Sequence, residues 1–192
     1  TITGADAANP TTVTAVAGNV TIKGETANTI GDNATVQSLG AAVMVKGGAT
    51  AENTITGTNA QVSAATSVYV EGKTNKVSAG ADILAGTNAS LVAAESNTVT
   101  GEGTKVDAEG SIGMSAVKNT IEDKAALAAG TNVSIIGSGS NTVQGGATVT
   151  SETGYVVVDG DTTAANIITG EGSLVDAATK VSIAGNTNTI TG

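Results

Sequence analysis

An asparagine followed two residues later by isoleucine or valine recurs along the chain at a nearly constant spacing. Successive copies lie 25, 22, 22, 22, 22, 25 and 22 residues apart. Regular spacing of this length is the signature of a repeat protein, in which each repeat is one unit stacked on the next. The eight asparagines are Asn28, Asn53, Asn75, Asn97, Asn119, Asn141, Asn166 and Asn188.

Short apolar bursts alternate with polar residues inside each repeat. In residues 53–74, NTITGTNAQVSAATSVYVEGKT, apolar side chains recur at every second position within each burst, and Gly or small polar residues separate the bursts. This alternation predicts three short strands per repeat. The 22-residue period is also shorter than the roughly 33 residues of helical repeats. We therefore predict an all-β fold, a single parallel β-solenoid (β-helix) of about eight coils of 22–28 residues.

The inward positions of the coils can be assigned from their offsets from the asparagine. They are Ile55, Val62, Val68 and Val70, then Val99, Val106, Ile112 and Met114, then Ile168, Val175, Val181 and Ile183. The coils that begin at Asn75 and Asn119 have a different phase, and the word Ala-Gly-Thr-Asn recurs in them at 85–88 and 129–132. A one-residue slip would turn every side chain to the other face, so the corners must absorb this difference. The strand phase in these two coils stays open at this point.

Two repeats are longer than the rest, and their extra residues fall at one corner, in 46–52 and 159–165. A solenoid tolerates insertions at a corner because the added chain avoids the core there. Residues 1–27 form a longer first repeat that contains the only proline, and we predict an irregular first coil or partial cap for them. We predict that 28–192 forms one continuous domain of regular coils.

Each repeat places its asparagine at the same step before a strand. An amide at a corner can hydrogen-bond the backbone that turns there, and stacked amides can also bond one another. We therefore predict a structural asparagine ladder formed by the eight residues named above. A row of amides that binds glycans is the alternative.

The composition restricts the chemistry that the chain can perform. It contains no His, Cys or Arg, so nucleophile–base triads and thiol sites are excluded. Its carboxylates are dispersed over outward positions, as on a solvated surface. We predict no enzyme activity, no catalytic residues and no cofactor, with a paired-carboxylate hydrolase as the weakest alternative. The carboxylates considered are Glu102, Asp107, Glu109, Glu122 and Asp123.

Asp159 and Asp161 lie in the sequence DGDTT, which superficially resembles a calcium loop. Calcium-binding solenoids instead use a tandem Gly-Gly-x-Gly-x-Asp repeat, and an EF-hand requires a Gly and a terminal Glu at fixed spacings. Neither pattern is present. We therefore predict a polar corner here and no metal site.

Threonine pairs offer an alternative function on one flat face. Thr-x-Thr rows are typical of antifreeze solenoids, so ice is one candidate ligand and a glycan is another. The pairs are Thr1/Thr3, Thr54/Thr56, Thr98/Thr100 and Thr189/Thr191. The row is interrupted by Gly31, Lys76, Glu122, Gln144 and Ile167. Threonine is also simply a favourable outward residue in a strand.

The charge of the chain limits its partners. Eight lysines oppose 17 carboxylates, which gives a formal net charge of −9. Such a surface repels nucleic acid and anionic membranes, and no apolar run approaches the ~20 residues that span a bilayer. We predict no nucleic-acid partner and no membrane insertion.

Several stretches carry a resemblance to a known family: the repeated Asn-Thr-[Ile/Val]-x-Gly word, 89–101, 131–143 and 173–192. From about residue 13 to residue 192 the chain resembles the β-helical shaft of filamentous haemagglutinin-like adhesins of two-partner secretion and of related autotransporter passengers. The resemblance implies export across an outer membrane, a secreted or cell-surface location, and adhesion by a long fibrous stalk. It offers no catalytic motif.

These observations lead to one functional prediction. We predict a structural, non-enzymatic segment of a bacterial extracellular adhesin or filament that forms a stiff rod. The chain opens with Thr-Ile-Thr-Gly and closes with Asn-Thr-Ile-Thr-Gly, in phase with its own repeat. We therefore expect that the protein either continues past both ends or stacks end to end with copies of itself. A host or cell-surface glycan or protein is the further partner expected.

Overall fold

A computed structural model describes all 192 residues. The chain is an all-β parallel solenoid of about eight turns and contains no helix, so the predicted fold is confirmed. No segment therefore forms a membrane-spanning helix. Twenty strands follow one another along the chain. They are β1 (Thr11–Ala15), β2 (Val20–Gly24), β3 (Ala27–Ile30), β4 (Ala34–Ser38), β5 (Val43–Gly47), β6 (Glu52–Thr56), β7 (Gln61–Ala64), β8 (Val68–Ser78), β9 (Asp82–Ala85), β10 (Ala89–Thr100), β11 (Lys105–Ala108), β12 (Ile112–Glu122), β13 (Ala126–Ala129), β14 (Val133–Gln144), β15 (Thr148–Ser151), β16 (Tyr155–Gly160), β17 (Ala165–Thr169), β18 (Leu174–Ala177), β19 (Lys180–Ala184) and β20 (Thr187–Thr191).

The strands form three parallel faces along the solenoid, with one strand from each coil on each face. Face A is the eight-stranded sheet β1-β4-β7-β9-β11-β13-β15-β18. Face B runs from β2 and β5 through the first halves of β8, β10, β12 and β14 to β16 and β19. Face C runs from β3 and β6 through the second halves of the same four long strands to β17 and β20. The long strands bend at the corner that carries the asparagines.

A thin core of Val, Ile, Ala, Leu and Met runs along the axis. Ile55, Val62, Val68 and Val70 are at most 1% exposed, and the four inward positions predicted for the coil from Asn97 are as deeply buried. In the coil from Asn166 the same columns are occupied, but Val181 is 42% exposed because it lies on the outer edge of the last coil. Small aliphatic side chains suffice because facing strands are close together, so little volume has to be filled.

The coils that begin at Asn75 and Asn119 use the same inward columns as the others. Ile83 and Leu91 are fully buried in the first, and Leu127 and Ile135 are fully buried in the second. Ile83 pairs in register with Val62 of the preceding coil. The different phase in the sequence therefore does not rotate any strand.

The corner between faces C and A is one residue shorter in these two coils, and the next corner, between faces B and C, is one residue longer, so that the period stays at 22. In the longer form a glycine with positive φ follows the strand directly, as at Gly57 (φ 102°) and Gly101 (φ 101°). In the shorter form two consecutive residues have positive φ, as at Ala79–Gly80 and Asp123–Lys124. In both forms a backbone amide donates a hydrogen bond to the carbonyl three residues earlier, from Ala60 to Gly57 in the longer form and from Ala81 to Ser78 in the shorter one. The two turns differ in length by one residue and deliver the next strand in the same register.

The first 27 residues combine a loop with regular strands. Ile2 forms a parallel bridge to Ile30. The side chain of Asp6 accepts hydrogen bonds from the backbone amides of Ala8 and Asn9, at 2.9 Å each, and so holds the loop closed. Beyond this loop, β1 and β2 pair in register with β4 and β5.

Candidate functional site

The structure places the eight asparagines in a single file at the corner between faces B and C. The Nδ2 of each one donates a hydrogen bond to the Oδ1 of the asparagine in the next coil. From Asn28 to Asn188 the seven donor–acceptor distances are 2.8, 2.8, 2.9, 3.0, 2.9, 2.9 and 2.8 Å. The first seven amides are at most 4% exposed, whereas Asn188 on the last coil is exposed. The amides therefore form one continuous chain of polarised hydrogen bonds within the protein.

The second hydrogen of each buried amide nitrogen is also used. It bonds a backbone carbonyl near the end of the following face B strand, 17 or 18 residues further along the chain, over distances of 2.6 to 3.0 Å. No buried side-chain nitrogen or oxygen in the chain lacks a partner. The ladder therefore satisfies polar backbone groups at the corner where the strand direction changes.

A column of small residues beside the ladder was not identified from the sequence. Its members are Gly24, Gly47, Gly72, Ala93, Ala116, Gly137, Gly160 and Gly185. A Cβ at Gly72 would lie 2.6 Å from the Nδ2 of Asn53, and one at Gly137 would lie 2.5 Å from the Oδ1 of Asn141. The asparagine amides can reach the corner because this column is nearly free of side chains. The signal was present in the sequence, since a Gly or Ala lies three to six residues before every one of the eight asparagines.

The threonines of face C lie in register along the sheet. The column that follows the asparagines contains threonine at six of its eight strand positions, and Lys76 and Ile167 occupy the other two. Thr98, Thr120 and Thr142 are consecutive, and their hydroxyls have no protein partner among the hydrogen bonds of the structure. The second outward column is less regular because Glu122 and Gln144 occupy it and bond each other at 2.8 Å.

Each of the carboxylates considered in the sequence has its own surroundings. Glu102 pairs with Lys124 at 3.0 Å, with both side chains largely exposed, and Asp107 pairs with Lys105 at 2.7 Å, with both side chains half-buried. Glu122 accepts a hydrogen bond from Gln144, and Asp123 accepts one from Thr100 at 3.0 Å. Glu109 and Asp107 border the same depression of about 480 Å³ at the edge of face A. No three acidic side chains converge on one point.

Asp161 closes the corner formed by 159–165. Its carboxylate accepts hydrogen bonds from the backbone amide of Thr163 at 2.8 Å and from the Thr163 hydroxyl at 2.7 Å. These bonds favour the ionised form and lower the pKa of Asp161. The backbone carbonyl of Asp159 accepts from the ladder residue Asn141. The two aspartates therefore serve the corner and the ladder.

Both aromatic residues of the chain lie on face B. Tyr69 projects outward from β8, in register with Ser90 of β10. Tyr155 begins β16 and is 43% exposed. Burial, together with the charge of Glu71, raises the pKa of Tyr69. An open depression of about 290 Å³ lies between the two coils that carry them, and we call it the face B trough. It is lined by Asn88, Ala89, Ser90, Ser111, Ile112, Gly113, Asn132, Ser134 and Tyr155.

No protein-family model matches the sequence, and no curated protein or solved structure matches it. The fold and the corner geometry define the class of the protein, a parallel β-solenoid of about eight turns with an asparagine ladder.

Proposed function

We propose that this chain is a structural, non-enzymatic segment of a bacterial extracellular adhesin or filament of the filamentous haemagglutinin-like kind. Its task is mechanical: it holds other parts of a surface structure apart as a stiff rod. Secretion or display at the cell surface is part of the proposal. The support lies in the repeat words shared with such shafts and in the construction of the solenoid.

The observation that carries the proposal is the continuity of bonding from coil to coil. Every pair of adjacent coils is joined by parallel strand pairing on three faces and by the amide ladder at one corner. Bending or extending the rod would require many of these hydrogen bonds to break together. Stacked parallel strands with asparagine ladders also give amyloid its high kinetic and thermodynamic stability.

The same construction supports self-association as part of the proposal. Val181 and Ile190 of the last coil occupy columns that are buried in the inner coils, and they are 42% and 64% exposed. We propose that such an edge stacks on a coil of a second copy, because the strand edge and the aliphatic columns match those of any inner coil.

Force spectroscopy tests the mechanical function directly. The chain, flanked by two reference domains of known unfolding force, is pulled from both ends. We expect unfolding at forces above those of helical repeat domains, and resistance to trypsin at its exposed lysines. Unfolding at low force, or rapid cleavage within the coils, would count against a rod function. Electron microscopy of the purified chain tests stacking, and monodisperse short rods at high concentration would contradict it.

The threonine column of face C supports a second candidate, the binding of a flat ordered ligand such as ice. Three consecutive threonines with free hydroxyls repeat at the strand spacing, about 4.8 Å. Thermal hysteresis of the purified chain is the test. Replacing the central residue, Thr120→Lys, should abolish any activity, whereas Thr148→Lys on face A should not. Zero hysteresis in the parent chain removes this candidate.

A further inference from the structure

Gly113 is a strand glycine that neither the backbone nor the packing requires. It lies in β12 at an outward position of face B, and its φ is not positive. A Cβ built there would meet no atom within 4 Å. Each of the six other strand glycines would place a Cβ no more than 3.1 Å from a neighbouring atom; they are Gly24, Gly47, Gly72, Gly137, Gly139 and Gly160.

A glycine inside a strand weakens the strand, because it orders a flexible backbone and contributes no packing. Where the fold gives no reason for it, such a glycine marks a place that another molecule approaches closely. Gly113 forms the middle of the floor of the face B trough, between Ser90 and Ser134 in the adjacent coils. Any larger side chain there would fill the trough.

One of the two tyrosines lines the trough: Tyr155 borders one end of it, whereas Tyr69 lies on the coil beyond the other end, outside the lining. Tyr69 is in register with Ser90 at one end, and Tyr155 lines the trough at the other. They lie four coils apart, or about 19 Å at the usual strand spacing. Lys46 approaches the ring of Tyr69 at 5.7 Å, from the coil on the side away from the trough. The ring edge facing the trough is therefore not occupied by this lysine.

The polar groups of the trough lining are incompletely hydrogen-bonded, and much of the remaining lining surface is apolar. The Oδ1 atoms of Asn88 and Asn132 accept backbone amides of the next coil, at 2.9 and 3.1 Å. Their Nδ2 groups and the hydroxyls of Ser90 and Ser134 have no protein partner among the hydrogen bonds of the structure. No charged side chain lines the depression, although the chain as a whole carries a net charge of −9.

We propose that the face B trough binds a neutral oligosaccharide or polysaccharide, laid along the solenoid axis over Gly113. Sugar rings present apolar C–H faces that pack on aromatic rings, and hydroxyls that pair with amide and hydroxyl groups. The trough supplies the ring of Tyr155 at one end and free donors along its floor. The acidic surface around it disfavours anionic polymers. This inference is independent of the rod function, which concerns bonding between coils.

Calorimetric titration of the full chain with cellohexaose, laminarihexaose and chitohexaose tests the proposal. The chain contains no tryptophan, so its fluorescence in the same experiment comes from Tyr69 and Tyr155, of which Tyr155 lines the trough. We expect at least one of these neutral oligosaccharides to bind saturably and to change the fluorescence. Oligoguluronate, an anionic control, should bind at least about tenfold more weakly.

Two variants distinguish the trough from the rest of the surface. Gly113→Leu should keep the unfolding temperature of the parent and lose binding by at least about tenfold, and Tyr155→Ala should lose binding to a similar extent. Thr148→Leu, which adds a leucine to face A, is the matched control and should bind like the parent. The proposal is overturned if no neutral probe binds at millimolar concentration, or if a folded Gly113→Leu variant binds as well as the parent. Tyr155→Ala decides the matter alone if Gly113→Leu does not fold.

Discussion

Asn97 offers the most direct test of the asparagine ladder, because it is fully buried and all the bonds of its amide are internal. Its Nδ2 donates to the Oδ1 of Asn119 and to the carbonyls of Ser115 and Leu91, at 3.0 Å in each case. Its Oδ1 accepts from the Nδ2 of Asn75 at 2.9 Å. The substitution Asn97→Ala removes all of these bonds and leaves the backbone in place.

The expected cost follows from the groups that are left without partners. Asn97 is the only donor to the Oδ1 of Asn119, so this buried oxygen becomes unsatisfied, at about 1–3 kcal/mol. The lost bonds to backbone carbonyls add about 1 kcal/mol. Asn75 is affected less, because its Nδ2 keeps the carbonyl of Val92 at 2.9 Å. We expect the free energy of unfolding to fall by about 2–4 kcal/mol in total.

Urea and thermal unfolding followed by circular dichroism measure this change. Thr98→Ala is the matched control, because Thr98 is the next residue of the same strand and points outward. It should change the stability by no more than about 0.5 kcal/mol. Asn188→Ala, at the exposed member of the row, should also have a small effect. If Asn97→Ala unfolds at the same midpoint as Thr98→Ala, the amide ladder does not stabilise the solenoid.

Three further predictions concern backbone strain, close packing and ionisation. Ala79→Gly should raise the stability by about 0.5–1 kcal/mol in urea unfolding, because Ala79 has φ 57° and glycine adopts positive φ without strain; an unchanged midpoint would show that this corner is unstrained. Gly72→Ala should lower the stability by about 1–3 kcal/mol, because the new Cβ would lie 2.6 Å from Asn53, whereas Gly113→Ala should not lower it. Burial raises the pKa of Asp82, with Lys105 opposing and Asp107 adding to the shift. The ionised form is therefore disfavoured in the folded chain, and this carboxyl destabilises the fold progressively as the pH rises above 3.8, its unperturbed value. Asp82→Asn should stabilise the protein at pH 7 and leave its stability unchanged near pH 3, and the opposite order in thermal unfolding would contradict this.

The sequence was sufficient to predict the fold because its period is carried by residues that have a strict structural requirement. Asparagine at one corner and β-branched residues at alternate positions predicted coils, strands and inward columns, and the structure places Ile55, Val62 and Val70 in the core. The asparagine row could also be predicted from the sequence, since one amide per coil comes into line once the coils are stacked in register. Adhesion, secretion and stacking depend on interactions with other molecules, so they remain proposals.

The phase of the coils from Asn75 and Asn119 could not be predicted in the same way. It depends on φ at a few corner residues, where Ala79 and Lys124 take a conformation that their side chains do not favour. The small-residue column was missed for a related reason. Gly72 and Gly137 resemble ordinary turn glycines in the sequence. Only the structure shows that the side-chain amides of Asn53 and Asn141 occupy the space that a Cβ would need at these positions.

The sequence by itself determined the coil length, the number of coils and, outside the coils from Asn75 and Asn119, the side chains that face the axis, because these follow from the period of the asparagines and from the alternation within each repeat. The tertiary structure alone decided how the two kinds of corner keep one register, which amides bond which carbonyls, and where a trough opens beside Tyr155. These features depend on contacts between coils that are about 22 residues apart in the chain. Such contacts depend on distances in space, which the order of residues along one repeat does not specify.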